Sequence, residues 1–176
     1  MKHLFTVSMA FAFMSTVCLS CMQKHKSKND KGSVTVTQMA GDIKITVKYT
    51  QPSVKGRVIG ENLEPLPDQI WPIGEKGAAV LELDRDVLIE GKLVPKGKYS
   101  LLTYVIRKSW ILVFNKTWKL PSIAEYKEEN DVLRVPVRGN KSAEFNETLR
   151  FDINTDGYVT FFWADKMVSF YIQPVQ

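Results

Sequence analysis

Cysteine and histidine are nearly missing from this chain of 176 residues. The only cysteines are Cys18 and Cys21 and the only histidines are His3 and His25, so everything from Val34 onward contains neither. That absence excludes disulfides inside the stretch, Cys and Cys/His zinc sites, Ser-His-Asp triads, Cys-His pairs and any general base that depends on imidazole. Catalysis there would have to use carboxylates, Lys, Tyr or a metal held by oxygen ligands, and no cofactor is expected. Long apolar runs are also scarce. The one near the start, Leu4 to Val17, falls short of the about 20 residues needed to cross a bilayer as a helix.

Net charge is the third thing in short supply, once its location is considered. The formal charge is +5, but Lys2 belongs to the leading segment and Lys24, Lys26, Lys28 and Lys31 crowd the stretch before Val34 beside a single acid, Asp30. From Val34 to Gln176 there remain 19 basic and 18 acidic residues, a net of +1. A nearly neutral domain with interspersed signs has no electrostatic footprint for nucleic acid, which is not expected as a partner.

What is present at the N-terminus has the form of a secretory leader: Met1, Lys2 and His3, the apolar run, then Leu19-Ser20 before Cys21. Small Ser20 directly before Cys21 resembles a bacterial lipobox, in which the Cys is acylated and becomes the new N-terminus. Cys18 occupies the position where Leu usually stands, and an ordinary secretory signal is the alternative. Several acyl chains on Cys21 would anchor the protein stably to a membrane. The expected organisation is a signal peptide over 1–20, the lipidated Cys with a basic, solvated tether over 21–33, and one domain over 34–176. With 44% hydrophobic and 11% aromatic residues, the chain supports a core for one domain and not for two.

Beyond Val34 the pattern has period two. Ile43, Ile45, Val47 and Tyr49 alternate with Lys44, Thr46 and Lys48, the signature of a half-buried strand. Phe145, Leu149, Phe151 and Ile153 are expected on one face of another. Asp156-Gly157 supplies turn chemistry before Tyr158 to Ala164, and Met167 to Ile172 reads as the last strand. Pro95-Lys96-Gly97 joins Leu93-Val94 to Tyr99 to Ile106. That run and Trp110 to Phe114 are apolar on both faces, which predicts central strands. Pro136 demotes Val132 to Arg138 to an edge strand because proline cannot donate to the ladder. Helical character is confined to Ser122 to Glu129. The predicted fold is all-β, an antiparallel sandwich or barrel-like domain of about eight to ten short strands.

Three places have residues for binding or chemistry. Gln51 to Trp71 is a long loop rich in Gly and Pro, with Lys55, Arg57 and Trp71 as a candidate binding set; the alternative is that Trp71 pins the loop to the sheet. Glu82 and Asp84 lie on one side of a strand, with Asp86 and Glu90 nearby. They form a candidate cation site, or else a solvated acidic face. The third place, Tyr126 to Glu129 with Asp131, reads more readily as an exposed turn. Asn115-Lys116-Thr117 and Asn146-Glu147-Thr148 match the glycosylation triplet by coincidence.

The succession Ile45-Thr46-Val47-Lys48-Tyr49, Pro52 to Arg57, Gly91-Lys92, Pro95 to Leu101, Trp110, Phe114-Asn115-Lys116 and Asp131 to Val135 resembles the domain of unknown function family 2911 over roughly residues 36–174. The resemblance implies a secreted or lipid-anchored domain of the kind found mainly in Bacteroidetes, and it implies no particular activity. After the Trp matching Trp71, typical members run Arg-Thr-Gly-Ala-Asn-Glu-Ala-Thr. Here the Arg, Asn and Glu are replaced by Pro72, Lys76 and Gly77. The expectation is therefore an envelope-anchored lipoprotein facing the periplasm, with a binding or structural role toward a small molecule, glycan or envelope protein. A carboxylate-based hydrolase of a glycan or other envelope polymer is the alternative.

Overall fold

The computed structural model describes the backbone of residues 25–29 and the whole of residues 32–175; the leader and Cys21 lie outside the described residues. Twelve strands follow in chain order: β1 (His25–Asn29), β2 (Ser33–Ala40), β3 (Ile43–Thr50), β4 (Trp71–Pro72), β5 (Ala79–Leu83), β6 (Val87–Ile89), β7 (Lys92–Val94), β8 (Gly97–Ile106), β9 (Ser109–Asn115), β10 (Asp131–Val137), β11 (Gly139–Ile153) and β12 (Tyr158–Pro174). They form two antiparallel sheets. The larger runs β1-β2-β3-β5-β8-β9-β10, with β4 also paired to β8, and the smaller runs β11-β12-β6-β7. The all-β sandwich predicted from alternation is what forms, although β11 and β12, at 15 and 17 residues, are far from short. Among the described residues no helix is long and apolar enough to cross a membrane.

Alternation explains most of the core. Ile43, Ile45, Val47 and Tyr49 of β3 are buried while Lys44 and Lys48 face water, because successive side chains leave opposite faces of a strand. Ring pairs join the two sheets: Tyr49 with Phe151 at 4.8 Å between centroids, Trp110 with Phe161 at 5.7 Å, and Phe114 with Phe170 at 5.3 Å. The strands predicted to be central, β8 and β9, are buried on both faces over Ser100–Thr103 and Leu112–Asn115. Their outer face is covered by a second, small cluster of Leu102, Val113 and Leu120, with Ile70, Tyr104 and Tyr126 packed against it. Pro136 does lie on an edge strand, β10, at the end of the larger sheet. The helical character near Ser122 resolves into two single 3-10 turns, Ile123–Glu125 and Glu128–Asn130.

Two expectations are corrected. Within the stretch read as a solvated tether, His25–Asn29 pairs antiparallel with β2 as an edge strand. Without it, one side of β2 would present a row of unpaired backbone groups, and a Lys-bearing strand is a common way to finish a sheet edge. The second correction concerns Phe145, which is 60% exposed although Leu149, Phe151 and Ile153 are buried. The β11–β12 pairing shifts register between Lys141 and Asn146 and again between Asn146 and Arg150. A bulge adds a residue to one strand and so reverses the faces beyond it. Across the bulge, β12 changes phase: Val159, Phe161 and Trp163 are buried before Ala164, then Val168, Phe170 and Ile172 after it. Ala164 has a positive φ of 51°. Asn146, at the bulge, turns inward and donates from its amide to Ser142 Oγ and to the Glu144 and Ala164 carbonyls.

Candidate functional site

The long connection between β3 and β4 folds over one end of the sandwich. Its entry is tied to β11, with the Val54 amide donating to the Glu147 carbonyl at 2.8 Å and the Leu149 amide donating to the Pro52 carbonyl at 3.1 Å. Its exit bridges β8 through Pro67 and Val105. Val54 and Leu63 are fully buried and give the loop an apolar anchor of its own. Trp71 then enters β4 opposite Thr103 and stacks on Trp163 of β12, 5.8 Å between centroids at 22°. Trp163 donates its indole N–H to the Glu64 carbonyl at 2.7 Å, which fixes the loop tip on the sheet. So Trp71 does pin the loop, and it also lines a hollow.

That hollow, about 300 Å³, gathers all three residues of the predicted binding set, Lys55, Arg57 and Trp71, together with Glu64, Glu75 and Trp163. Arg57 is held in place by carbonyls: its Nε donates to Val54 O at 2.9 Å and a terminal nitrogen donates to Ser53 O at 2.7 Å. The Lys55 amide donates to Glu147 Oε1 at 2.8 Å, which leaves the ammonium outside that contact. Among the described residues none of Lys55, Arg57, Glu64 or Glu75 belongs to an ion pair. The hollow therefore presents two cations and two carboxylates beside an aromatic wall, with charge of each sign left for a ligand to meet.

The segment after Trp71 that departs from the family pattern forms one wall. Thr50 Oγ1 accepts from the amides of both Glu75 and Lys76, at 2.8 and 2.9 Å, and shapes it as a turn. Gly77 adopts φ +91°, and a Cβ there would lie 2.5 Å from the Leu120 carbonyl oxygen. No side chain fits at that position in this chain. The charge the segment gives to the hollow comes from Glu75 instead.

The other sequence candidates lie elsewhere. Glu82 and Asp84 share a hollow of about 470 Å³ with Thr37, Lys44 and Thr46 on the outer face of the larger sheet. Glu82 pairs with Lys98 Nζ at 3.1 Å, and Asp84 accepts from the Lys44 amide at 3.0 Å and lies 3.5 Å from Arg85 Nε. Among the described residues no group of three or more His, Cys, Asp or Glu is placed to hold a metal ion. The Tyr126–Asp131 stretch is a satisfied polar network rather than an open turn. Asp131 accepts from Asn115 Nδ2, Tyr126 OH and Arg134 Nε, each at 2.7 Å, and Arg134 also pairs with Glu128 at 2.9 Å. Burial, with the bond to Asp131 second, pushes the Tyr126 phenol up to about 12.

Sequence reading missed Glu64, Glu75 and Trp163 as partners of the hollow. Trp163 is in a strand of ordinary alternation, and nothing local separates it from Phe161. No curated protein and no solved structure matches the chain. A family model, described as protein of unknown function (DUF2911), matches residues 32–172, which takes in the strands from β2 to β11, most of β12 and every wall of the hollow. The chain belongs to that family.

Proposed function

We propose that this chain is an envelope-anchored lipoprotein with a non-enzymatic role, and that its domain binds a small polar ligand carrying charge of both signs in the hollow under the 51–70 loop. One observation carries the reading: Lys55, Arg57, Glu64 and Glu75 converge beside the Trp71–Trp163 pair without ion-pairing among the described residues. A concave site with a few convergent polar groups is the usual form of a ligand site. The stacked indoles provide the readout. Titrating the full-length protein with a panel of free amino acids and amino sugars should give a saturable change in tryptophan emission that Lys55→Gln and Glu64→Gln each weaken. A panel without any saturable response sinks the binding reading. The anchor is tested apart from the ligand: Cys21→Ala should move the protein out of the membrane fraction, and unchanged partitioning removes the lipid from the proposal.

A hydrolase acting on a glycan or another envelope polymer is the second reading, and it has an observation of its own. Glu64 and Glu75 line the same hollow, and glycoside hydrolysis uses two carboxylates facing each other across the scissile bond. Release of reducing ends from envelope polysaccharide, abolished by Glu64→Gln and by Glu75→Gln, would establish this reading in place of the first.

A further inference from the structure

The 51–70 loop has a second side. Glu64 lines the hollow already described, while its neighbour Pro65 lines another, of about 500 Å³, bounded by the loop, the β8–β9 hairpin and the β11–β12 pair. Its apolar surface comes from Ile59, Pro65, Val105 and Trp110, and its rim holds Arg107, Lys108 and Lys166 against one acid, Asp68. Lys166 is engaged by Asp165 Oδ2 at 2.8 Å. Arg107 and Lys108 have no ion pair among the described residues, so theirs are the uncompensated charges of the rim. They form the two-residue turn between β8 and β9, with φ of 48° and 72°, a conformation usually given to Asn-Gly. Two long cations occupy it here, next to an apolar recess.

Although Trp110 as a whole is 4% exposed, its indole nitrogen keeps contact with solvent and its N–H donates to no acceptor among the described residues. Opposite it stands Gly139, where a Cβ would lie 2.1 Å from Trp110 Nε1. Any other residue at 139 would fill the space over the indole edge, and the glycine keeps that donor open to the hollow.

We propose that this second hollow binds a small amphiphilic anion, with its apolar body against Ile59, Val105 and Trp110 and its acidic head accepting from Arg107, Lys108 and the Trp110 indole. The apolar surface selects for a hydrocarbon or aromatic body, and the uncompensated cations select the sign of the head group. The site is independent of the zwitterion reading of the first hollow, with which it shares no lining residue.

The test uses the full-length protein labelled with nitrogen-15, in which the four indole N–H resonances, assigned by Trp→Phe variants, report on each tryptophan. Octanoate should shift the Trp110 resonance saturably, octanol should bind about tenfold more weakly, and octyltrimethylammonium should leave it still. Arg107→Gln with Lys108→Gln should weaken octanoate about tenfold and spare octanol, because only the charged head loses its partners. Gly139→Ala should abolish the octanoate response; should that variant fail to fold, the double substitution on the exposed turn still decides. Equal affinity for octanoate and octanol, or a response confined to Trp71 and Trp163, overturns the proposal.

Discussion

The two faces of β8 and β9 are covered in different ways. Inward, Leu101, Leu112 and Phe114 pack into the space between the sheets among large aromatic side chains, and the fit is almost entirely apolar. Outward, Leu102 and Val113 are buried just as completely, but beneath a thin cover of Leu120, Ile70 and two half-buried tyrosines. Of that cover, Leu120 and Tyr126 are carried by residues 115–131, which have little regular structure of their own and are held by polar contacts. Asn115 donates to the Lys127 carbonyl and to Asp131, and Asn130 Nδ2 donates to Thr117 Oγ1. The same degree of burial therefore rests on hydrocarbon packing on one side and on a hydrogen-bonded strap on the other. The two should fail differently.

The largest effect is expected inside. Phe114 is fully buried and packs edge-on against Phe170, so Phe114→Ala should cost about 3–5 kcal/mol in urea unfolding of the full-length chain. A loss under about 1 kcal/mol would show that the aromatic bridge between the sheets is not the main support. On the strap, Asp131→Ala removes one acceptor shared by Asn115, Tyr126 and Arg134, and should cost about 2–3 kcal/mol because three partly buried donors lose it at once. It should also raise hydrogen exchange in residues 115–131 well before the sandwich opens, whereas Phe114→Ala should loosen both together. Equal exchange in the two variants would erase the distinction between the faces.

A pH series separates the strap further. The Tyr126 phenol titrates near its ordinary value of 10 in the unfolded chain and at about 12 in the folded one, so the folded state holds the proton more tightly. Its contribution is whole below pH 10 and is lost as pH rises toward 12. Unfolding midpoints should fall over that window, and Tyr126→Phe, which cannot ionise, should flatten part of the fall. Tyr49 and Tyr99 are also raised by burial and contribute with the same sign. An identical slope in wild type and Tyr126→Phe would mean that Tyr126 is not coupled to folding. The smallest effect is expected at Lys48, which alternates with buried residues of β3 and faces water: Lys48→Gln should change stability by no more than about 0.5 kcal/mol.

Much of this was open to reading from local pattern, because alternation and turn residues are local properties. β3 emerged residue by residue from its Ile, Val and Tyr spacing, and Asp156-Gly157 marked the hairpin that Asn154 closes by accepting from the Asp156 and Tyr158 amides. The candidate set Lys55, Arg57 and Trp71 was legible for a similar reason: a long Gly/Pro loop with two cations and an aromatic is distinctive within one segment. Phe145 was misread because a bulge depends on how two strands pair and leaves no mark in the alternation of either one. Trp163 could not be grouped with the loop at all, since its proximity exists only once β12 packs beneath β4, while Glu64, inside the loop, and Glu75, just past Trp71, had no local mark to set them apart from the neighbouring acids.

By itself, then, the sequence determined the class of the fold, the strands buried on both faces, and the chemistries closed to residues 34–176, because side-chain period, proline and the lack of Cys and His act without reference to distant contacts. Only the tertiary structure decided where the loop lies, that it separates two hollows of opposite character, and that one indole N–H is left open toward the larger. Those are matters of which surfaces meet, and a chain of alternating residues is compatible with many such meetings until the sheets close on one another.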